Sequence, residues 1–190
     1  RANVNADINN WFSAGINWDS SQQDRSGSDF GSSVNWNANP VLAAILFPPT
    51  IPVYDEEGNY SEASTDYGES GIWNPVASTL EPDIQRKTTL NNANLYLDFK
   101  IAEGLSLRVT GGARITNWVG TQFYNDKTVI GRTNQGVGRA SNSNSRNYQN
   151  SNILTYTNDF GKHHINAVVV GEVKYSEIYD SSIDNSIFTV

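Results

Sequence analysis

The chain has 190 residues, a formal net charge of -7 and a hydrophobic fraction of 37%. The negative charge argues against a nucleic-acid partner, because phosphate backbones are bound by basic surfaces. No run of about 18 apolar residues occurs, which excludes a transmembrane helix. Cysteine is absent, so disulfides play no part and no redox compartment can be inferred. The pattern starts inside a strand and stops at Val190 without a closing element, so we expect a piece of a larger protein.

Residues 1–19 are predicted to form one barrel strand. Even-numbered positions from Val4 to Trp18 are apolar apart from Asn10, whereas most odd-numbered positions are polar. A period of two places successive side chains on opposite faces of a pleated sheet. One face of this strand is therefore expected to carry no charge.

Residues 20–84 show no sustained periodicity and are predicted to form one long extracellular loop. They contain ten acidic residues and a single base, Arg25, so this segment has a net charge of -9 and the rest of the chain sums to about +2. A loop of this length is improbable inside a compact soluble domain. Asn39-Pro40 predicts a short helix that runs through Phe47, with Asn39 as the cap and Pro40 at the first position.

Residues 85–124 give the clearest pattern, a hairpin with strands at about 86–101 and 105–123. Apolar residues alternate from Leu95 to Ile101 and again from Leu105 to Phe123, and Gly104 between them suits a tight turn. Strands of soluble domains usually have about five or six residues. The second strand is far longer, and would cross a hydrocarbon layer, which takes about 9–11 tilted residues.

Residues 125–190 show the same alternation of polar loops and strands with one apolar face. Residues 125–147 are predicted to be a second extracellular loop, residues 148–180 a barrel hairpin, and residues 181–190 the start of a further loop. Long and short connections alternate, as an up-and-down arrangement requires. The predicted fold class is all-β, an antiparallel up-and-down transmembrane β-barrel segment of about five strands with long extracellular loops.

Charged side chains in the middle of the strands fall opposite the apolar stripe, and Lys87 and Glu177 break this pattern near the outer strand ends. A lipid-facing charge near the midplane costs about 2–4 kcal/mol, which explains this segregation. The residues predicted to face the lumen are Asp98, Lys100, Arg108, Arg114, Glu172 and Lys174.

Three stretches, in the expected order, resemble the SusC/RagA-type TonB-dependent outer-membrane transporters, and the resemblance covers nearly the whole chain. The more specific one is Pro52-Val-Tyr-Asp-Glu-Glu-Gly-Asn-Tyr60, inside the long loop. The others are Ile101-Ala-Glu-Gly-Leu-Ser-Leu-Arg108 and the stretch from Leu154 to Glu172. The resemblance implies a barrel of 22 strands with an N-terminal plug, energised through TonB in the cell outer membrane. It also implies a SusD-type surface lipoprotein acting as a lid, and import of oligosaccharides or peptides.

Aromatic and apolar residues of the long loop are candidates for contact with substrate or partner, or for packing within the loop itself. They are Trp36, Leu46, Phe47, Tyr54, Tyr60, Tyr67 and Trp73. The cluster Asp55-Glu56-Glu57 lacks the spacing of a known calcium loop, so solvated acids are favoured over a metal site. Lys127, Arg132 and Arg139 are candidates for contact with lipopolysaccharide phosphates.

No catalytic arrangement is recognisable. His163 and His164 are neighbours that point apart in an extended chain, so no metal site is predicted, and no cofactor or enzymatic activity is expected. Two functions from different classes remain open at this point. The first is a wall segment of a TonB-dependent transporter, and the second is a soluble glycan-binding or adhesin β-domain, which would bury its apolar stripe against a second sheet.

Overall fold

The computed structural model describes residues 1–27, 39–63 and 73–187. One antiparallel sheet of six strands, each beside its sequence neighbour, makes up most of this part of the chain. The strands are β1 (Ala2–Asn9), β2 (Phe12–Ser26), β3 (Asp83–Ala102), β4 (Leu105–Tyr124), β5 (Val137–Phe160) and β6 (His163–Ser186). Three short helices lie in the connections, namely α1 (Pro40–Leu46), α2 (Pro75–Leu80) and α3 (Val129–Asn134). The expected all-β, antiparallel up-and-down fold is confirmed, with six strands instead of five.

The prediction of one strand over residues 1–19 is wrong, because the chain reverses at Asn10-Trp11. The side chain of Asn9 accepts hydrogen bonds from the backbone N–H groups of Trp11 and Phe12, at 3.0 and 2.9 Å, and so stabilises the turn. The register pairs Val4 with Ile16 and Ala6 with Ala14. Even positions therefore lie on the same side of the sheet before and after the turn, which makes two strands look like one.

The strands also run further into the predicted loops than expected. β2 continues to Ser26, β5 begins at Val137 and β6 continues to Ser186. These extensions are rich in Ser, Asn and Gln, whose polarity on both sides hides the alternation. The β3–β4 hairpin agrees closely with its prediction, and Gly104 has the expected positive φ, of 73°.

The chain folds into two compact units, each of which draws on several strands. The first, here the strand unit, comprises residues 1–23, 88–118 and 143–180. The second, here the loop unit, comprises residues 24–87, 119–142 and 181–190, and includes all three helices. Most long strands pass from one unit into the other.

The strand unit has two chemically different sides. The apolar side carries Val4, Ile16, Val169 and Val173, which are between 45% and 69% exposed. The other, the polar side, carries the charged residues of the strand interiors. The buried apolar side chains of the described residues, Ala43, Ala63, Ala77 and Val137, belong to the loop unit.

Among the described residues, no helix is long and apolar enough to cross a membrane.

Candidate functional site

A groove of about 1090 Å³ lies on the polar side of the strand unit. Its walls come from β3, β4, β5 and β6, and include Asn94, Arg114, Trp118, Asn147 and Lys174. Gly112 gives the groove its depth, because a Cβ atom there would lie 2.9 Å from the side chains of both Asn94 and Gln149. Amides and hydroxyls dominate the lining, as the 2.8 Å hydrogen bond from Ser176 to Asn147 illustrates. This surface suits polar, hydrogen-bonding material.

The charged residues predicted to face the lumen lie on this side, and several are paired. Arg108 donates two hydrogen bonds to Asp98, of 2.6 and 2.7 Å, and its guanidinium lies 5.5 Å from the ring centroid of Tyr96. Lys174 lies 2.7 Å from Glu172. These two pairs neutralise four of the six predicted residues, and Lys100 and Arg114 give the set a formal charge of +2. Lys100 and Arg114 complete the predicted set, and Arg114 lines the groove.

The resemblance-bearing segment of the long loop forms a small hairpin, here the tyrosine hairpin (residues 53–61). Tyr54 and Tyr60 form an antiparallel bridge, and their rings lie 5.2 Å apart. The carboxylate of Asp55 accepts hydrogen bonds from the backbone N–H groups of Glu57 and Asn59, at 3.1 and 2.7 Å. Asp55 therefore shapes its own turn. No group of three possible metal ligands occurs among the described residues.

Glu81 ties the tyrosine hairpin to the connection after β4. The hydroxyl of Tyr60 donates a 2.8 Å hydrogen bond to one carboxylate oxygen of Glu81, and the amide of Asn125 donates a 2.7 Å bond to the other. The bond from Asn125, together with that from Tyr60, lowers the pKa of Glu81 although burial opposes this. Burial, and then the Glu81 carboxylate, raise the pKa of Tyr60.

Asn74 is the buried centre of the loop unit. Its side-chain oxygen caps α2 by accepting from the N–H groups of Val76 and Ala77, and its amide donates to the carbonyl oxygens of Val53 and Ser61 at 2.8 and 3.1 Å. Asn74 is 2% exposed, and its four bonds lie in a buried or partly buried setting. The predicted helix α1 begins in the same way, with Asn39 as its cap and Pro40 at its first position, which confirms that expectation.

Trp73 also packs within the loop unit. The Arg132 guanidinium lies 4.7 Å from the centroid of the Trp73 ring, and Arg132 forms an ion pair with Glu62. A second cavity, of about 780 Å³, is lined by the tyrosine hairpin together with Glu62 and Arg132. Tyr54, Tyr60 and Trp73 therefore all have contacts within the loop.

Leu46 closes α1 and is 46% exposed, beside Ile45 at 73%, whereas Phe47 is half-buried. Trp36 and Tyr67 lie outside the described residues.

Of the three predicted lipopolysaccharide contacts, Arg132 is paired with Glu62 and Arg139 lies 3.2 Å from Asp184. His164 lies 2.7 Å from Asp159 at the β5–β6 turn. Sequence reasoning misses the turn residue Trp11, whose ring lies 6.5 Å from that of Phe99, because the alternation places residue 11 within a continuous strand.

The arrangement defines a class of structure: an open antiparallel sheet of long strands in sequence order, apolar on one side and polar on the other, like the wall of an outer-membrane barrel. The chain is similar to the solved structure of the RagAB peptide transporter, with 16% identity and a TM-score of 0.68, over 98% of this chain and 21% of that one. It is also similar to the structure of the RagAB peptide importer in the open-open state, with 19% identity and a TM-score of 0.60, over 97% and 20%.

The chain thus spans about a fifth of the length of the structures it matches. No family model matches the sequence. No curated protein matches it either. The expected resemblance to a SusC/RagA-type barrel segment is confirmed at the level of the fold.

Proposed function

We propose that this chain is a wall segment of a TonB-dependent outer-membrane transporter. The observation that carries the proposal is the uncovered apolar side of the strand unit. Ile16 is 45% exposed and Val169 is 67% exposed, whereas a soluble domain would bury both. Acyl chains would cover this side, and the polar side would line the passage through a barrel of 22 strands.

The role of the segment in transport is passive and non-catalytic. The groove lined by Arg114 and Lys174 would face the plug or the passing substrate, and the tyrosine hairpin would lie on the extracellular side. Oligosaccharides and peptides are the proposed substrates. A similar structure is described as a peptide transporter, which supports the second class. A SusD-type lipoprotein would close the mouth, and TonB would act through a plug outside these residues.

The rival function is a soluble glycan-binding or adhesin domain, and the direction of the apolar side separates the two. We would attach nitroxide labels singly at Val109 and Thr110, which are neighbours on opposite sides of β4. These 190 residues contain no cysteine that would compete for the label, and any cysteine elsewhere in the full-length protein is replaced first. In the natural full-length protein in bilayers, the label at Val109 should collide with lipid-soluble oxygen and the label at Thr110 with a water-soluble nickel chelate. Water accessibility at both sites, or at neither, would contradict the proposal.

Transport itself is tested by uptake. Cells that lack the protein should lose growth on the oligosaccharide or peptide it imports, and regain it with the natural gene. If cells with and without the protein grow equally well on a panel of oligosaccharides and peptides, the import function is contradicted, and the protein would be a membrane barrel with another function.

A further inference from the structure

The apolar side of β5 and β6 changes its chemistry in a fixed order along the strands. Aliphatic residues such as Val169 and Val173 come first, counted from the β5–β6 turn. They are followed by Tyr148 and Tyr175, whose stacked rings lie 6.4 Å apart. Two residues beyond this tyrosine pair come Arg146 on β5 and Glu177 on β6. Hydrocarbon, aromatic belt and charge is the order found on crossing a bilayer interface.

Hydrogen bonds place the charged residues on the apolar side and not on the polar one. Asn144 forms a hydrogen bond to Asn117 of β4, and the Nε of Arg146 donates a 2.8 Å bond to the side-chain oxygen of Asn144. Tyr179 donates its hydroxyl to Glu177. Residues two apart on a strand share a side, so Arg146 follows Tyr148, and Glu177 follows Tyr175.

Within the strand unit, every residue of which the structure describes, Arg146 is the one lysine or arginine on the apolar side. No carboxylate of the described residues lies within ion-pair distance of it, whereas Arg108, Arg132 and Arg139 all have such partners. Glu177 lies opposite Arg146 on β6, in the register that the Tyr148–Tyr175 and Asn147–Ser176 contacts define, but does not reach ion-pair distance. A guanidinium beside hydrocarbon is costly unless an anion pairs with it. About 7 Å along the strand separate Arg146 from Tyr148, which corresponds to the step from the aromatic belt to the headgroups.

We propose that Arg146 binds the phosphate of an outer-leaflet lipid headgroup. The proposal rests on the proposed function, since it needs the apolar side to face lipid. Arg146 supplies a charge-assisted hydrogen bond, and Asn144 holds its Nε so that the remaining guanidinium nitrogens can donate to the phosphate. Glu177, on the neighbouring strand, disfavours the phosphate by like charge. The two residues should therefore affect binding in opposite directions.

The test is native mass spectrometry of the natural full-length protein in detergent, titrated with phosphatidylglycerol. Diacylglycerol serves as the lipid without a headgroup phosphate, and inorganic phosphate as the anion without acyl chains. We expect Arg146→Gln to weaken phosphatidylglycerol binding about fivefold, the effect of one basic residue near a membrane surface. Arg146→Lys should retain most of the binding, and Glu177→Gln should strengthen it. Lys162→Gln, which removes a charge at the opposite end of the strands, should change nothing.

Three results would overturn the inference. The first is unchanged phosphatidylglycerol binding in Arg146→Gln. The second is an equal loss of diacylglycerol, because the phosphate would then not be what is recognised. The third is displacement of the lipid by an equal concentration of inorganic phosphate, which would indicate a free-anion site. A protein that takes up no lipid at all and stays soluble without detergent would instead contradict the proposed function.

Discussion

The hydroxyl of Tyr60 donates its hydrogen bond to a carboxylate of Glu81 that also accepts from Asn125. Three separate segments of the loop unit therefore meet at one carboxylate. Removing the hydroxyl with Tyr60→Phe should cost about 1 kcal/mol, because a partly exposed bond to a charged acceptor is lost while Asn125 still satisfies Glu81. Hydrogen exchange at the backbone amides of residues 53–61 should become faster. Glu57→Gln, which changes an exposed carboxylate of the same hairpin, is the matched control.

The same contact predicts a pH window for the tyrosine hairpin. The pKa of Glu81 is lowered in the folded protein. The stabilisation that ionised Glu81 gives the hairpin is therefore fully present above the ordinary glutamate pKa of about 4.3, and is lost as the pH falls through the lower pKa of the folded state. The pKa of Tyr60 is raised in the folded protein. The stabilisation that the protonated Tyr60 hydroxyl gives the hairpin is therefore fully present below the ordinary tyrosine pKa of about 10, and is lost as the pH rises through the higher pKa of the folded state. Amide exchange of residues 53–61, corrected for intrinsic rates, should be slowest between these limits. In Tyr60→Phe the alkaline limit should disappear.

Asn74 offers a way to separate helix capping from cross-loop hydrogen bonding. Asn74→Ala removes both and should lower the free energy of unfolding by about 2–4 kcal/mol, since two partly buried carbonyl oxygens lose their donor along with the cap. Asn74→Ser keeps a capping oxygen and should recover about 1 kcal/mol of that loss. Denaturant titration followed by tryptophan fluorescence measures the stability of both variants. Equal stability of the two variants would show that the cap contributes nothing.

Ala167 and Val168 are neighbours on β6 that point to opposite sides. Ala167→Arg should destabilise the folded protein in bilayers by about 2–4 kcal/mol, because it places a charge against hydrocarbon. Val168→Arg, at the same depth, should cost less than about 1 kcal/mol because it meets the polar side. The measurement is the folding midpoint in bilayers. Equal losses would mean that neither side faces lipid.

Leu46 tests whether α1 binds a partner. Leu46→Asp places a charge on the exposed end of the helix, and if this surface contacts a lipoprotein lid, less lipoprotein should co-purify. The variant is expected to fold, because Ala43, and not Leu46, is buried. Glu57→Gln again serves as the control. Unchanged recovery of the lipoprotein would favour a role for Leu46 in the loop alone.

The sequence predicts the strands best where one side is uniformly apolar. β3 and β4 agree within a few residues, because each is long and its stripe carries no charge over residues 89–101 of β3 and throughout β4. The turn at Asn10-Trp11 escapes prediction because a two-residue reversal keeps even positions on the same side. The ends of β2, β5 and β6 escape it because their side chains are polar on both sides.

The loop contacts are beyond sequence reasoning for a different reason. Tyr60 and Trp73 are candidates as exposed aromatics, but each is engaged by a residue far along the chain, Glu81 for one and Arg132 for the other. Pairings of that kind depend on how the loop folds back on itself, which no local pattern encodes. For Arg146 the local prediction itself is wrong. The polar residues around it predict a loop, whereas Arg146 lies in β5.

Gly15 lies beneath the ring of Tyr96, where a Cβ atom would collide with both that ring and the side-chain oxygen of Asn5. The hydroxyl of Tyr96 donates to Asn5 at 2.9 Å and so holds the ring flat against its neighbours. Positions 15 and 96 are therefore coupled through space. In chains of the same fold a larger residue at position 15 should be accompanied by a smaller one at position 96, so that the two positions covary.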